Sequence, residues 1–197
     1  MKEKVAEEKK GERKLGICRK IKYDSQIAIA NKLRTLAFNQ AKDALIAKYK
    51  SGVGLGETKK YNKIKNGGAN IGALIIGDVE FAACSAVQSE DYIYNDFFVT
   101  NTPDVSNVLH VTANRDINYS EGWTREEDSE AKLLWEIENN YNYLLNSHQV
   151  IDLYTYFQPC LSCDYYIINF LKKNIKIDIN IYYESNYPDG KRYLIEW

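Results

Sequence analysis

Two cysteines and two carboxylates stand at the starts of two predicted helices, where their spacing could support metal-dependent chemistry. Cys160 and Cys163 form a C-x-x-C pair directly after Pro159. Thiolates three residues apart on a first helical turn can share one zinc ion, and a helix N-terminus favours the thiolate form. A catalytic zinc needs a third protein ligand and leaves a fourth position for water. If the two helices lie side by side, Asp128 could supply that ligand while Glu130 points at the water.

The elements that must position these residues follow from the spacing of apolar side chains. Apolar residues recur at intervals of three and four from Glu126 to Leu145, which predicts a helix that begins beside the two carboxylates. Residues 150–157 are rich in β-branched and aromatic side chains and predict a strand. A further helix is predicted from Cys160 to about Lys173. Both candidate ligand sets would then lie at helix N-termini near one end of a sheet.

The remaining pattern predicts an α/β fold, a three-layer α/β/α sandwich around a mixed sheet of five strands. The other predicted elements are a helix from Asp24 to Lys50, a hairpin from Asn70 to Val87 around Gly77-Asp78, and a strand from Ile175 to Tyr183. Residues 187–190 form a predicted turn that leads into a last strand at residues 191–197. So short a turn requires the last two strands to pair antiparallel, because parallel strands need a long crossover.

Charge and length divide the chain into a short arm and one domain. The 197 residues carry a net charge of −1, yet residues 1–22 hold an excess of lysine and arginine over glutamate. We expect residues 1–22 to form a flexible charged arm, which is either simply solvated or attracts phosphate. Residues 23–197 are expected to fold as a single domain with an inserted excursion at residues 88–125.

The order of these motifs resembles the cytidine deaminase-like superfamily, whose signature is H-x-E followed by P-C-x-x-C. Residues 159–163 match the second part, and Asp128-Ser129-Glu130 stands where H-x-E is expected, with aspartate in place of histidine. The segments D-S-E-A-K-L-L and P-C-x-S-C before I-I-x-F-L-K-K resemble a bacterial polymorphic-toxin deaminase subfamily in which aspartate takes that position. The resemblance covers about residues 65–183 and extends to the hairpin.

The resemblance implies a site and a reaction. A zinc ion would be held by Asp128, Cys160 and Cys163. Glu130 would be the acid/base that moves protons from water to the ring nitrogen and the departing amine. The implied reaction is the hydrolytic deamination of cytosine to uracil in a polynucleotide, with DNA as the expected substrate. The hairpin would present Asn70 and Ser85 to the substrate.

A toxin of this kind implies partners and a place of action. The expected partners are a nucleic acid substrate, as single- or double-stranded DNA, and a cognate immunity protein in the producing cell. No stretch approaches the ~18 apolar residues of a transmembrane helix, and the first residues are charged, so neither a membrane segment nor a signal peptide is expected. We therefore expect action in a cytoplasm, reached by delivery into target cells as part of a secreted toxin.

Several alternatives stay open on the sequence alone. A C-x-x-C pair at a strand–helix junction also occurs in thiol–disulfide oxidoreductases. The substrate could instead be free cytidine or a free nucleotide, or the fold could bind nucleic acid or a partner without catalysis. Asp128 could be only a helix N-cap, in which case one of the two histidines, His110 or His148, would be the third ligand, and His110 is the better reserve. Aromatic residues of the excursion could stack on bases or serve packing: Tyr92, Tyr94, Phe97, Phe98 and Trp123.

Overall fold

The computed structural model describes residues 16–43, 45–46, 55–88, 98–104 and 126–186. Within these ranges six strands form one sheet: β1 (Cys18–Lys22), β2 (Ile71–Ile76), β3 (Val79–Cys84), β4 (Phe98–Val99), β5 (Gln149–Phe157) and β6 (Ile177–Ser185). The helices are α1 (Ala28–Thr35), which continues as a π-helical segment (Leu36–Lys42), α2 (Leu55–Lys65), α3 (Ser129–Asn140) and α4 (Leu161–Lys173), and a 3-10 helix covers Asn142–Asn146. None of these helices has the length and apolar character that crossing a bilayer requires.

The strands lie in the order β1-β6-β5-β2-β3-β4. β2 and β3 form the predicted antiparallel hairpin, and its turn holds Gly77 at φ +57°, a conformation that suits glycine. β2 also pairs antiparallel with β5, whereas β5 and β6 run parallel with α4 between them in the chain. This crossover places the first turn of α4 just beyond the carboxyl end of β5.

Helices cover both faces of the sheet, so the predicted α/β fold with three layers is confirmed. α3 and α4 pack on one face, where Leu153 and Ile179 of the sheet join their core. α1, the π-helical segment and Ile64 of α2 pack on the other face, against Ala73 and Tyr154. The neighbouring residues Leu153 and Tyr154 therefore belong to different cores, as the alternation of side chains along a strand requires.

One edge strand comes from the segment that the charge pattern assigned to the arm. Cys18–Lys22 form β1 and pair in parallel with β6. The strand signal is hidden because Arg19 and Lys22 project into solvent at the edge of the sheet. Gly16 lets the chain approach this edge, since a Cβ there would lie 1.9 Å from the carbonyl oxygen of Ile177. These residues therefore belong to the sheet and not to a flexible arm.

Other differences from the predicted elements arise where apolar spacing carries little signal. β1 and β4 add two strands to the four predicted ones that the structure describes, so the predicted total of five strands is wrong. The predicted turn at 187–190, the last strand at 191–197 and most of the 88–125 excursion lie outside the described residues. α2 lies between the predicted helix that ends at Lys50 and the predicted hairpin that begins at Asn70. The sequence gives no helix signal there, because Ile64 and Tyr61 are the residues of α2 that contact the core and they form no apolar stripe.

Candidate active site

Three side chains with metal-binding atoms meet where α3 and α4 begin. Asp128 directly precedes α3, Cys160 directly precedes α4, and Cys163 lies in the first turn of α4. Asp128 Oδ2 lies 3.3 Å from Cys160 Sγ and 3.1 Å from Cys163 Sγ, and the two sulfur atoms are 3.5 Å apart. The fold thus brings together the three residues predicted as ligands.

The donor set and its spacing fit a zinc ion. Zinc binds thiolate at ~2.3 Å and carboxylate at ~2.0–2.2 Å, which separates two sulfur ligands of a tetrahedron by about 3.8 Å. The observed separations of 3.1–3.5 Å are short of such values by about half an ångström or less. One ion could therefore contact all three atoms after a small outward shift. Asp128 and Cys163 are buried and Cys160 is half-buried, so the group is open on one side.

The same three groups need a compensating charge. Two thiolates and a carboxylate this close repel one another unless protons or a cation lie among them. Without a cation Cys163 keeps its proton, because a hydrogen bond with Cys160 and burial raise the pKa of its thiol well above the ordinary value. A divalent cation would take the place of those protons, since metal binding and thiol deprotonation are coupled.

Asp128 occupies an N-cap position without capping the helix through its side chain. Its backbone carbonyl accepts a hydrogen bond from the N–H of Lys132 at 3.1 Å, whereas its carboxylate makes no capping hydrogen bond and faces the two thiols. An aspartate that served only as a cap would accept a hydrogen bond from an N–H of the first turn. This geometry favours the ligand role of Asp128 over the cap role.

Glu130, in the first turn of α3, is 2% exposed and has hydrogen-bond donors at both carboxylate oxygens. Ser129 Oγ donates to Oε2 at 2.9 Å, and Asn70 Nδ2 and Thr155 Oγ1 lie 3.2 and 3.1 Å from Oε1. Burial and the carboxylate of Asp128 nevertheless raise the pKa of Glu130 to about 7. A carboxyl group with a pKa near neutrality can both accept and donate protons, as a general acid/base must.

Asn70 links the hairpin to Glu130 and to the end of β5. Its Nδ2 donates to Thr155 Oγ1 at 2.7 Å, and its Oδ1 lies 3.4 Å from the backbone nitrogen of Phe157. Thr155 has one hydroxyl hydrogen, available either to Glu130 Oε1 or to the carbonyl of Phe157 at 3.0 Å. The amide of Asn70 thus holds three parts of the site together while the residue stays half exposed.

Ser85 directly follows β3 and contacts Asn70, which directly precedes β2, at the open end of the hairpin. Its Oγ accepts a hydrogen bond from the N–H of Asn70 at 3.0 Å, and its own N–H donates to the carbonyl of Asn70 at 2.9 Å. These two bonds fix the backbone at the start of β2. Ser85 therefore acts on the position of Asn70, and the two predicted hairpin residues lie together.

Gly72 allows α3 to lie close against β2. A Cβ at this position would lie 3.1 Å from Leu133 Cδ1 and 3.2 Å from Ser129 Oγ, which is tighter than ordinary contact. The missing side chain therefore leaves room for the Ser129 hydroxyl that donates to Glu130.

A buried ion pair braces the helix that carries the cysteines. Lys20 of β1 places its Nζ 2.5 and 2.6 Å from the two carboxylate oxygens of Asp164, the residue after Cys163. The side chain of Asp164 is 2% exposed and that of Lys20 is 17% exposed. The sequence pattern gave no signal for this pair, because its members lie 144 positions apart and both residue types are ordinarily solvated.

Another lysine holds the chain that follows β3. Lys132 of α3 is fully buried, and its Nζ donates to the carbonyls of Cys84 and Val87 at 3.2 and 2.5 Å and to Gln88 Oε1 at 3.0 Å. The predicted excursion begins at residue 88. Lys132 therefore anchors the point where the chain leaves the hairpin.

Other residues considered from the sequence lie away from this site or outside the described ranges. His148 precedes β5, at the opposite end of that strand from Cys160. Phe98 is buried in the core as part of β4 and offers no surface for stacking. The remaining predicted aromatics and the reserve ligand lie outside the described residues: Tyr92, Tyr94, Phe97, Trp123 and His110. Across the ranges that the structure describes, the group able to hold a metal is Asp128, Cys160 and Cys163.

Comparison with models of known protein families gives a match. The toxin-deaminase family model, described as the BURPS668_1122 family of deaminases, matches residues 57–185, a range that includes the hairpin, α3, β5 and α4. Neither the curated proteins nor the solved structures yield a match. The matched range covers more than half of the chain and every element that carries Glu130, Asn70 and the three candidate ligands. The chain therefore belongs to the toxin-deaminase family, within the cytidine deaminase-like superfamily.

Proposed function

We propose that this deaminase is a zinc-dependent enzyme that converts cytosine to uracil within DNA, as the effector of a bacterial toxin. The observation that carries the proposal is the meeting of Asp128, Cys160 and Cys163 beside the buried Glu130. Hydrolytic deamination of a base requires these two parts: a metal ligand set that is open to water, and an acid/base close by. Asp128 takes the place of the histidine found in the superfamily signature.

Asp128, Cys160 and Cys163 would hold the zinc ion, which supplies a water molecule acidified to a pKa of about 7. Glu130 accepts a proton from the attacking water and donates it to N3 of the cytosine ring. In a second transfer, Glu130 passes the remaining water proton to the exocyclic amine, so that the C4–N bond breaks, ammonia leaves and uracil forms. Ser129 and Thr155 hold the carboxylate of Glu130 in place during both transfers.

Asn70 and Ser85 form the substrate side of the site in this proposal. Asn70 is half exposed, and its amide already contacts Glu130 and Thr155, so a base that reaches Glu130 also meets Asn70. Ser85 fixes the backbone of Asn70 through two hydrogen bonds. We assign contact with the substrate to Asn70 and the positioning of Asn70 to Ser85.

The role as a toxin rests on membership of the family. The proposal extends to delivery into the cytoplasm of a target cell, where DNA is accessible. It also extends to a cognate immunity protein, because a cell that makes an enzyme able to alter its own DNA needs a means of blocking it. Such a protein would act by covering the opening beside Cys160, through which water and substrate reach the site.

The proposal is tested by measuring uracil formation from a single-stranded DNA oligonucleotide that contains one cytosine, with zinc-loaded protein. Wild type is expected to form uracil. Glu130→Gln is expected to lose at least about a hundredfold in rate while it retains its zinc. Glu127→Gln is the matched control: Glu127 is exposed near the same helix start, and the variant should keep the wild-type rate.

Three outcomes separate the alternatives. A wild-type rate from Glu130→Gln would remove the acid/base assignment. Turnover of free deoxycytidine but of no oligonucleotide would replace the polynucleotide by a free nucleoside. Absence of uracil from wild type on single-stranded DNA, duplex DNA, RNA and free deoxycytidine would reject cytosine deamination altogether.

The contacts of the cysteines argue against a thiol–disulfide oxidoreductase. Such an enzyme activates one thiolate by lowering its pKa. Here the carboxylate of Asp128 lies 3.3 Å from Cys160 Sγ and 3.1 Å from Cys163 Sγ, where its negative charge opposes the formation of either thiolate. Protein that holds one zinc per chain and fails to reduce a disulfide substrate is the expected result.

A further inference from the structure

We propose that a cleft on the α1 side of the sheet binds the nucleotide next to the target cytosine in a single polynucleotide strand. This inference rests on the proposed function, because it assigns a second part of the same substrate. The cleft has a volume of about 480 Å³, within the range of ligand pockets. Its aromatic and cationic lining consists of Phe38, Lys42, Lys65, Tyr156 and Phe157.

Three half-exposed rings supply flat apolar surface in the cleft. The centroid of Tyr156 lies 5.8 Å from that of Phe38 and 4.9 Å from that of Phe157, and both pairs meet edge to face. Edge-to-face packing supports the rings without stacking one fully over another. A base can stack on such a ring whatever its identity, since every base has a π face. Tyr156, which lies between the two phenylalanines, is the stacking residue in this assignment.

Lysines give the cleft a preference for phosphate. Lys42 Nζ lies 5.3 Å from the centroid of the Phe38 ring, and Lys65 borders the cleft at the end of α2. The described residues that line the cleft include no carboxylate, although the whole chain has a net charge of −1. Lysine–phosphate contacts supply most of the affinity of proteins for nucleic acid backbones. Aromatic rings combined with lysines are the usual means of binding a single strand.

The end of β5 connects the cleft to the proton-transfer site. Thr155 contacts Glu130 on one face of the sheet, and the next residue of β5, Tyr156, lines the cleft on the other face. Asn70 is a second link, because its Nδ2 lies 3.2 Å from Glu130 and its Oδ1 lies 3.4 Å from the nitrogen of Phe157. A strand whose cytosine reaches Glu130 therefore brings an adjoining nucleotide towards Tyr156.

This arrangement favours a polynucleotide over a free nucleoside as the substrate. A free nucleoside at Glu130 would leave the rings and lysines of the cleft without a ligand. A polynucleotide fills both places, and its phosphates meet Lys42 and Lys65.

Binding is measured first, with zinc-loaded Glu130→Gln protein so that no turnover occurs. The probe is a fluorescent oligothymidine strand that contains one cytosine. Adding Lys42→Glu is expected to weaken binding about tenfold and to reduce the slope of log affinity against log salt by about 0.7, the contribution of one phosphate contact on a single strand. Adding Lys172→Glu instead is the matched control, because Lys172 is exposed on α4 and does not line the cleft. This control should leave the slope unchanged.

Stacking is then tested with Tyr156→Leu, which keeps apolar bulk and removes the aromatic face. Its kcat/KM for uracil formation is expected to fall about tenfold on the intact oligonucleotide. Two further oligonucleotides carry an abasic site, one directly 5′ and the other directly 3′ of the cytosine. On one of these two oligonucleotides, Tyr156→Leu and wild type should have the same kcat/KM. That oligonucleotide identifies which neighbour occupies the cleft.

The outcomes distinguish this inference from the proposed function. Equal effects of Lys42→Glu and Lys172→Glu, or an equal loss with Tyr156→Leu on the intact and both abasic strands, would overturn the cleft assignment. In either case, uracil formation by wild type would leave the proposed function standing. Absence of uracil from wild type on every strand would overturn both.

Discussion

The face of the sheet under α3 and α4 differs from the face under α1 and α2 in where its charged side chains lie. In the described part of the chain, the buried charged residues are Asp128, Glu130, Lys132 and Asp164, and all of them lie in the first turns of α3 and α4 or directly before α3. On the other face the buried cluster is apolar. The charged side chains of that face are exposed or half-buried: Lys32 and Arg34 pair with Glu80 and Glu184, and Lys42 lies beside the Phe38 ring.

The difference reflects what burial does to charge. An ionised group that leaves water loses its solvation, and the loss is tolerated only where hydrogen bonds, an opposite charge or a metal ion replace it. The same low dielectric strengthens electrostatic interactions and shifts pKa values, which proton transfer and metal binding exploit. Solvated charges suit the capture of a polyanion instead. Under the proposed function, one face therefore does the chemistry and the other recognises the strand.

Removing one candidate ligand should give the largest effect, because the proposed chemistry of the buried face depends on it. Cys163→Ala leaves two candidate ligands, Asp128 and Cys160, too few to retain a zinc ion at its catalytic coordination. We expect the zinc content to fall from about one ion per chain to near zero. We expect the rate of uracil formation to fall by well over a hundredfold, because the loss of a residue that only orients a metal ligand already costs up to about a hundredfold. Metal analysis and the uracil assay measure the two effects.

Cys18→Ala is the control for this experiment. Burial raises the pKa of the Cys18 thiol to about 12, so this cysteine is also shielded, but it lies on β1 outside the candidate metal group. Its replacement should leave zinc content and rate unchanged. Zinc retained by Cys163→Ala would remove the ligand assignment.

The pair formed by Lys20 and Asp164 tests how the buried face responds to a charge that loses its partner. Lys20→Met keeps the length of the side chain and removes its charge. Breaking one side of a buried ion pair costs about 3 to 5 kcal/mol, because the other charge stays buried. We expect the free energy of unfolding, measured by urea denaturation of the metal-free protein, to fall by about 4 kcal/mol.

A second variant identifies the cause. If the uncompensated carboxylate is responsible, adding Asp164→Asn to Lys20→Met should recover part of the loss. A loss of less than about 1 kcal/mol in the single variant would mean that water screens this pair as it does a surface pair.

The candidate ligands could be predicted from the sequence because local spacing fixes them. Cys160 and Cys163 lie on one helical turn, Asp128 and Glu130 on another, and the strand–helix order brings the two turns together. Thr155 could not be recognised in this way. Its contact with Glu130 depends on which residue of β5 lies beside the first turn of α3 in the folded protein, and local spacing does not determine that. Lys20 and Lys132 could not be recognised from the sequence for the same reason, because their contacts also depend on how distant elements pack together.

The layers of the fold could also be predicted, whereas its edges could not. The β-branched and aromatic residues of β5, the alternation in β6 and the wide apolar stripe of α3 mark buried elements, and burial is what a sequence pattern records. β1 is an edge strand with exposed charges, and α2 contributes few side chains to the core, so both lack that record. Their existence depends on tertiary contacts such as the close approach of Gly16 to Ile177.

The free-energy cost of burying the charged form of Glu130 on the α3 face can be measured from the pH dependence of stability. In the metal-free protein its pKa is raised from 4.5 to about 7 by burial and by Asp128. Between pH 4.5 and about 7, Glu130 is ionised in the unfolded chain but still protonated in the folded protein. The stability that this group contributes is therefore fully present below pH 4.5 and is lost as the pH rises through about 7. The loss amounts to about 3 kcal/mol.

Urea denaturation of metal-free wild type and Glu130→Gln at pH 5 and pH 8 measures this contribution. Wild type should lose more stability than the variant between the two pH values, because glutamine has no proton to lose. Equal losses would mean that Glu130 is ionised in the folded protein at pH 5, and hence that its surroundings compensate the charge fully.

The exposed ion pair between α1 and β3 should give the smallest effect. Lys32 pairs with Glu80, and their side chains are 56% and 37% exposed. Water already solvates both charges, and ordering two long side chains opposes the attraction, so such pairs contribute little. Lys32→Met makes the same chemical change as Lys20→Met but on the other face of the sheet, and urea denaturation should show a loss of less than about 0.5 kcal/mol. If Lys20→Met and Lys32→Met lost equal amounts of unfolding free energy, the exposure of an ion pair would not determine how much it stabilises this fold. The two faces of the sheet would then differ in their proposed chemical roles but not in the stability that their ion pairs contribute.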